Sequence, residues 1–161
     1  MPDLWSAVQI GVNGMVLRGP RPGRPWIGSQ RAGCSWPGSG PASYDSAAAA
    51  LSRRPVALFV TADKPTAWRG SIGLPERLSA LIGASARARP TILVSLGNPY
   101  LISKLPEVGS YLIGWRSNPV TEEAMARALA GAAPITGRLP ISIPPLYPRG
   151  WGVERRVSRP Q

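Results

Sequence analysis

Thr91-Ile92-Leu93-Val94-Ser95-Leu96-Gly97-Asn98-Pro99 decides how this chain folds. An apolar run of strand length, broken only by Ser95, stops at a Gly-Asn-Pro turn. Continuous rather than alternating apolarity marks a strand covered on both faces, the habit of parallel sheets. Val56-Ala57-Leu58-Phe59-Val60-Thr61 shows the same pattern upstream, and Tyr111-Leu112-Ile113-Gly114 repeats it in shorter form downstream. Between the first two strands, Pro75 suits a first helical turn and Glu76 complements the positive end of the dipole. Leu74, Leu78, Leu81 and Ile82 then form one apolar stripe on a helix ending near Ala88. After Gly114, Thr121 is the candidate N-cap, with Glu122 and Glu123 in the first turn and Met125 and Leu129 packing four apart. Glu123 and Arg127 make a favourable pair, and Gly131 ends the helix. A helix is also expected over 46–53, a short helical piece over 100–105, and a last strand over 139–143, kept at an edge by Pro140. Strands alternating with helices predict an α/β fold: an open, mostly parallel sheet with helices on both faces, a thin three-layer sandwich.

The first 43 residues have a different character. They hold 8 Gly and 6 Pro, with Trp5, Trp26 and Trp36 scattered among them, and no apolar period is found from 19 to 42. One short strand, broken by Gly14, is expected over 12–17. The expected organisation is an irregular Gly/Pro-rich lead-in over 1–43, a folded domain over 44–152 and a basic tail over 153–161.

At 161 residues the chain is of single-domain size. No apolar run approaches the roughly eighteen residues of a membrane-spanning helix. The single Cys34 excludes an internal disulfide framework, and no Cys/His cluster has the spacing of a zinc site. There is no histidine, so imidazole chemistry would have to come from outside these residues. The net charge of +11 invites a nucleic-acid reading, but the arginines are spread along the chain rather than clustered, which argues against one. Met1-Pro2-Asp3 opens on an acid rather than a basic signal region, and the compartment is left open.

No phosphate-cradling loop is present in either of its common spacings, and no G-x-S-x-G elbow exists to carry a serine nucleophile. The loop Thr61-Ala62-Asp63-Lys64-Pro65-Thr66-Ala67-Trp68-Arg69-Gly70 does combine a carboxylate, cations and an aromatic plane just past a central strand. Ligands bind at that edge of open α/β sheets. Asp63 is the candidate catalytic residue, with a loop-capping role as its alternative, and Trp68 and Arg69 are candidate sugar contacts, with packing of Trp68 against a neighbouring domain as theirs. No second carboxylate can be named.

Four blocks in register from Val56 to Tyr147 resemble the C-terminal α/β domain of glycoside hydrolase family 3, most closely its β-N-acetylglucosaminidase branch. They are Gly70-Ser71-Ile72-Gly73-Leu74-Pro75; Thr91 through Leu101 with its Gly-x-Pro turn; Pro106-Glu107-Val108 before the strand at Tyr111; and Ala128 through Pro144, followed by Leu146-Tyr147-Pro148-Arg149-Gly150. In the physical reading Gly97 turns the chain off its strand and Gly137 supplies the turn into the last one.

The resemblance implies a retaining double displacement on β-linked N-acetylglucosamine or glucose, with no metal or organic cofactor. It also implies a partner, a catalytic barrel in cis or in trans, because the family's nucleophile and most of its sugar pocket lie there. In the N-acetylglucosaminidase branch the acid/base is a barrel-loop Asp-His pair; in the glucosidase branch it is a Glu of the C-terminal domain, and the matching loop here offers Asp63 and no Glu. The expectation is a domain or fragment of a glycosidase, inactive alone, for which a truncated or frame-disrupted gene is one candidate explanation. The rival is a stand-alone carbohydrate-binding or scaffolding module using Trp68 or Trp115 at the strand ends.

Overall fold

A strand that is apolar on both sides needs a neighbour on each edge and a layer on each face, and β3 (Thr91–Ser95) has all four. The computed structural model describes residues 9–12, 41–62 and 73–157. In it β1 (Gln9–Val12), β2 (Ala57–Thr61), β3 and β4 (Ser110–Ile113) lie side by side in chain order, each pair parallel. The register is tight, with Val12 opposite Thr61, Thr61 opposite Ser95 and Ser95 opposite Ile113.

The connections are α1 (Pro41–Ser52), α2 (Glu76–Ala88) and a 3-10 helix (Pro99–Lys104), with α3 (Pro119–Leu129) after β4. Side chains alternate across the sheet, so the odd positions Ala57, Phe59 and Leu93 face one way. They meet Leu51 of α1, Leu78 and Ile82 of α2 and Ile102 of the 3-10 helix in one buried cluster. Even positions Val60 and Val94, with Leu96, face the other way and are covered by Met125 and Leu129 of α3. Consecutive parallel strands joined by crossovers of one hand put every crossover on one face. That accounts for α1, α2 and the 3-10 helix lying together, and for α3, which makes no crossover to a further strand, being free to cover the other face. The α/β three-layer arrangement is as expected.

Several boundaries differ from expectation. The first strand is Gln9–Val12, where Ile10 and Val12 are the β-branched residues, rather than 12–17; residues 13–17 lie outside those described. Helix α1 starts at Pro41, five residues early, because a proline needs no N–H at the first helical position. The N-cap of α3 is Asn118, not Thr121: its Oδ1 accepts the Thr121 N–H at 2.8 Å, and Pro119 follows as the first helical residue. At the other end Gly131 has φ 70°, Ala132 N–H donates to Arg127 and Gly131 N–H to Ala128, a left-handed stop.

The expected edge strand over 139–143 does not form. Prolines 140, 144 and 145 remove the donors a ladder needs, and the chain folds back on itself instead. Ile135 and Arg155 exchange both backbone hydrogen bonds at 2.9 Å, Leu139 N–H donates to Trp151, and Ile143 N–H donates to Tyr147. Ile143 is fully buried against the α1/α2 side of the sheet, and Tyr147 stacks on Trp151 with ring centres 5.9 Å apart. The glycine this arm requires is Gly152 rather than Gly137. A Cβ at 152 would stand 2.4 Å from the Gly137 carbonyl oxygen, whereas a Cβ at 137 meets nothing within 4 Å.

Phe59 sits at the centre of the larger cluster with no exposed surface. Phe59→Ala is expected to cost about 3–5 kcal/mol, much of the stability of a chain this size, and the denaturant midpoint in a urea titration checks it.

Candidate functional site

The carboxyl ends of β3 and β4 are where the chain changes faces. After β3 it passes to the α1/α2 side as the 3-10 helix; after β4 it passes to the opposite side as α3. Connections that part in this way open the sheet edge, and such a switch point is where open α/β sheets receive ligands.

The β3 loop is held by buried polar groups. Ser95, with no exposed surface, donates its hydroxyl to the Asn98 carbonyl at 2.6 Å. The Tyr111 hydroxyl from β4 lies 3.2 Å from the same carbonyl oxygen and 3.1 Å from that of Pro99, donating to the pair. Asn98 Oδ1 accepts the Tyr100 N–H at 2.9 Å and so caps the 3-10 helix. Beneath them Thr61 Oγ1 donates to the Val94 carbonyl at 3.3 Å. The bonds of Ser95, Tyr111 and Asn98 shape the Gly97–Asn98–Pro99 turn and bring Tyr100, 49% exposed, to the edge.

The β4 loop is more strained. Arg116 N–H donates to the Gly114 carbonyl at 2.5 Å, a three-residue turn centred on Trp115 at φ 56°. Both flanks are fixed. A Cβ on Gly114 would fall 2.6 Å from Leu96 Cδ2 and 2.9 Å from Thr121 Cγ2, so strand end and helix touch there. On the far side Ser117 Oγ donates to Glu122 Oε1 at 2.8 Å and Asn118 caps α3. Trp115 emerges 44% exposed, with Arg116 exposed beside it.

Asp63, Trp68 and Arg69 lie outside the described residues; Ala62, the last one described before them, is buried at the end of β2. Trp115 stands at a strand end as its place after Gly114 implied. The polar group of buried Thr61, Ser95 and Asn98 with half-buried Tyr111 is not singled out by the sequence; its one local signal is a hydroxyl residue closing or interrupting an apolar run, as Thr61 and Ser95 do. Three other carboxylates are in ion pairs: Glu107 with Arg87 at 2.8 Å, Glu154 with Arg138 at 2.5 Å, and Glu123 with Arg127 at 3.9 Å as expected. No cluster of three metal-ligating side chains occurs among the described residues, and no helix there is long and apolar enough to cross a membrane. A cavity of about 260 Å³ at the opposite end of α3, lined by Leu129, Ile135, Arg155 and Arg156 among others, carries no carboxylate.

Burial pushes the Tyr111 phenol up from 10.0 to about 12, with the Ser95 hydrogen bond pulling the other way. The folded chain therefore holds this proton more tightly than the unfolded chain. Its contribution to stability is whole below pH 10 and is lost as the pH rises from there towards about 12. Urea midpoints across that range should fall in the native chain and fall less in Tyr111→Phe, which should itself be destabilised by about 1 kcal/mol at neutral pH. Gly114→Ala should cost about 1–3 kcal/mol, because Leu96, Thr121 and Met125 must all give way. Thermal unfolding measures it.

No family model matches the chain. It is 35% identical over 66 residues, 41% of its length, to a β-N-acetylglucosaminidase/β-glucosidase of Cellulomonas fimi. Its fold matches that of a family 3 exo-β-xylosidase, solved with a xylobiose aziridine activity-based probe, with a TM-score of 0.62 over 92% of this chain at 17% identity. The chain spans 12% of the first enzyme and 22% of the second. The chain is thus similar in sequence to part of a β-N-acetylglucosaminidase/β-glucosidase and in fold to the α/β part of a family 3 glycoside hydrolase.

Proposed function

We propose that the chain is the C-terminal α/β domain of a retaining β-glycosidase for β-linked N-acetylglucosamine or glucose, working beside a catalytic barrel in cis or in trans. By itself it hydrolyses no glycoside. The identity with the β-N-acetylglucosaminidase/β-glucosidase carries this reading. The site geometry supports it. Retaining hydrolysis needs two carboxyl groups about 5–5.5 Å apart across the sugar bond. At the β3–β4 edge the described carboxylate is Glu122, and it is engaged by Ser117. The remaining described carboxylates stand on helices, in the turn before β4 and in the C-terminal arm. Ala62, the last described residue before Asp63, follows β2 at the same edge of the sheet, and in this reading Asp63 is the catalytic candidate and Trp68 and Arg69 are the sugar contacts.

The alternative, a carbohydrate-binding or scaffolding module without catalysis, draws on the exposed Trp115. Two measurements separate them. The purified chain should release no chromophore from aryl β-N-acetylglucosaminide or β-glucoside above buffer, and turnover by the chain alone would overturn its dependence on a barrel. DNA upstream of the Met1 codon, translated in three frames, should encode a β/α barrel in frame or one shift away. Unrelated sequence there would favour the module.

A further inference from the structure

Among the described residues other than glycine, Trp115 is the one at positive φ. Its φ of 56° is a conformation in which glycine is unstrained and a bulky residue is an outlier. The turn around it is clamped by Gly114 against α3 on one side and by Ser117 and Asn118 on the other, so the backbone that carries the indole is fixed. Strained residues kept in rigid surroundings cluster at ligand sites. This one projects 44% exposed from one of the two loops that part at the switch point. The other loop presents Tyr100, and the next residue along is the exposed Arg116.

The geometry points to Trp115 as a stacking platform for the pyranose ring of a β-linked, gluco-configured sugar, with Arg116 and Tyr100 directed at its hydroxyls. The proposal rests on the glycosidase-domain reading and adds to it a surface on this chain's own residues. The ring chemistry fits the parts. Equatorial substituents leave axial C–H bonds on the ring faces, a weakly positive apolar plane that matches the negative face of indole. The rim of hydroxyls needs donors and acceptors, which a guanidinium and a phenol supply. A cationic ligand, which would also favour an indole face, is opposed by Arg116 and by the net charge of +11.

The test uses the full chain with 15N-labelled indoles. The Trp115 N–H resonance is assigned by its disappearance in Trp115→Phe, and the chain is titrated with methyl β-glucoside, with chitobiose and with glucitol, which has similar hydroxyls and no ring face. The expected result is a saturable shift of the Trp115 resonance with both sugars and none with glucitol. Trp115→Gly should weaken sugar binding by about tenfold or more, while its melting temperature stays level or rises because the turn is relieved. An equal response to glucitol, a shift confined to other indoles, or a Trp115→Gly chain that melts like a core variant would each overturn the proposal. Silence of every indole would overturn it too. The domain reading would survive that result, since upstream sequence and glycoside turnover decide it separately.

Discussion

Covering β3 on both faces is the constraint from which the rest follows. Leu93, Val94 and Ser95 have no exposed surface, so neither face of the sheet can be left to water. Crossovers of one hand supply cover on one face only, and they put α1, α2 and the 3-10 helix there. The other face has to wait for the chain to leave β4 and pass over to Met125 and Leu129 of α3. The parting of the connections at β3 and β4 is thus a consequence of burying an apolar strand, and the edge that can receive a ligand is created by the same requirement.

Burial at that edge is not wholly apolar, and the polar part has a definite task. A hydroxyl taken out of water costs free energy unless it finds a partner. Ser95 and Tyr111 find theirs in the carbonyls of Asn98 and Pro99. Those carbonyls belong to a turn with proline in it, where a strand ladder cannot use them. The two needs meet each other, and the result fixes the direction in which Tyr100 leaves the sheet.

The strands, the α2 stripe and the order of elements were legible because they depend on periodicity, which a single sequence carries in full. The cap of α3 was misplaced by three residues because Thr121 and Asn118 are both good caps, and the choice falls to Pro119, whose fixed φ already suits a helix start. The last expected strand fails for a different reason. Leu139, Ile141 and Ile143 alternate as strand residues should, but alternation says nothing about whether N–H groups are available, and the prolines withdraw them. Pairing of Ile135 with Arg155 is a long-range contact between residues of no marked pattern, so nothing local announced it. Trp115 was visible as a strand-end aromatic; its strain was not, since φ depends on how Gly114 packs against α3.

The placement of that strain is itself informative. A turn from β4 into α3 needs one residue at positive φ, and the natural occupant is glycine. Glycine stands one residue too early, at 114, because Leu96 and Thr121 leave no room for a Cβ there. Packing therefore pushes the left-handed position on to residue 115, where there is room for any side chain. Asparagine or glycine would relieve the backbone, and an exposed indole adds little burial in return. Folding explains why the strain lies at 115 and not why tryptophan bears it. The unexplained part is a flat, half-exposed aromatic face at the one point of the sheet edge that the topology opens.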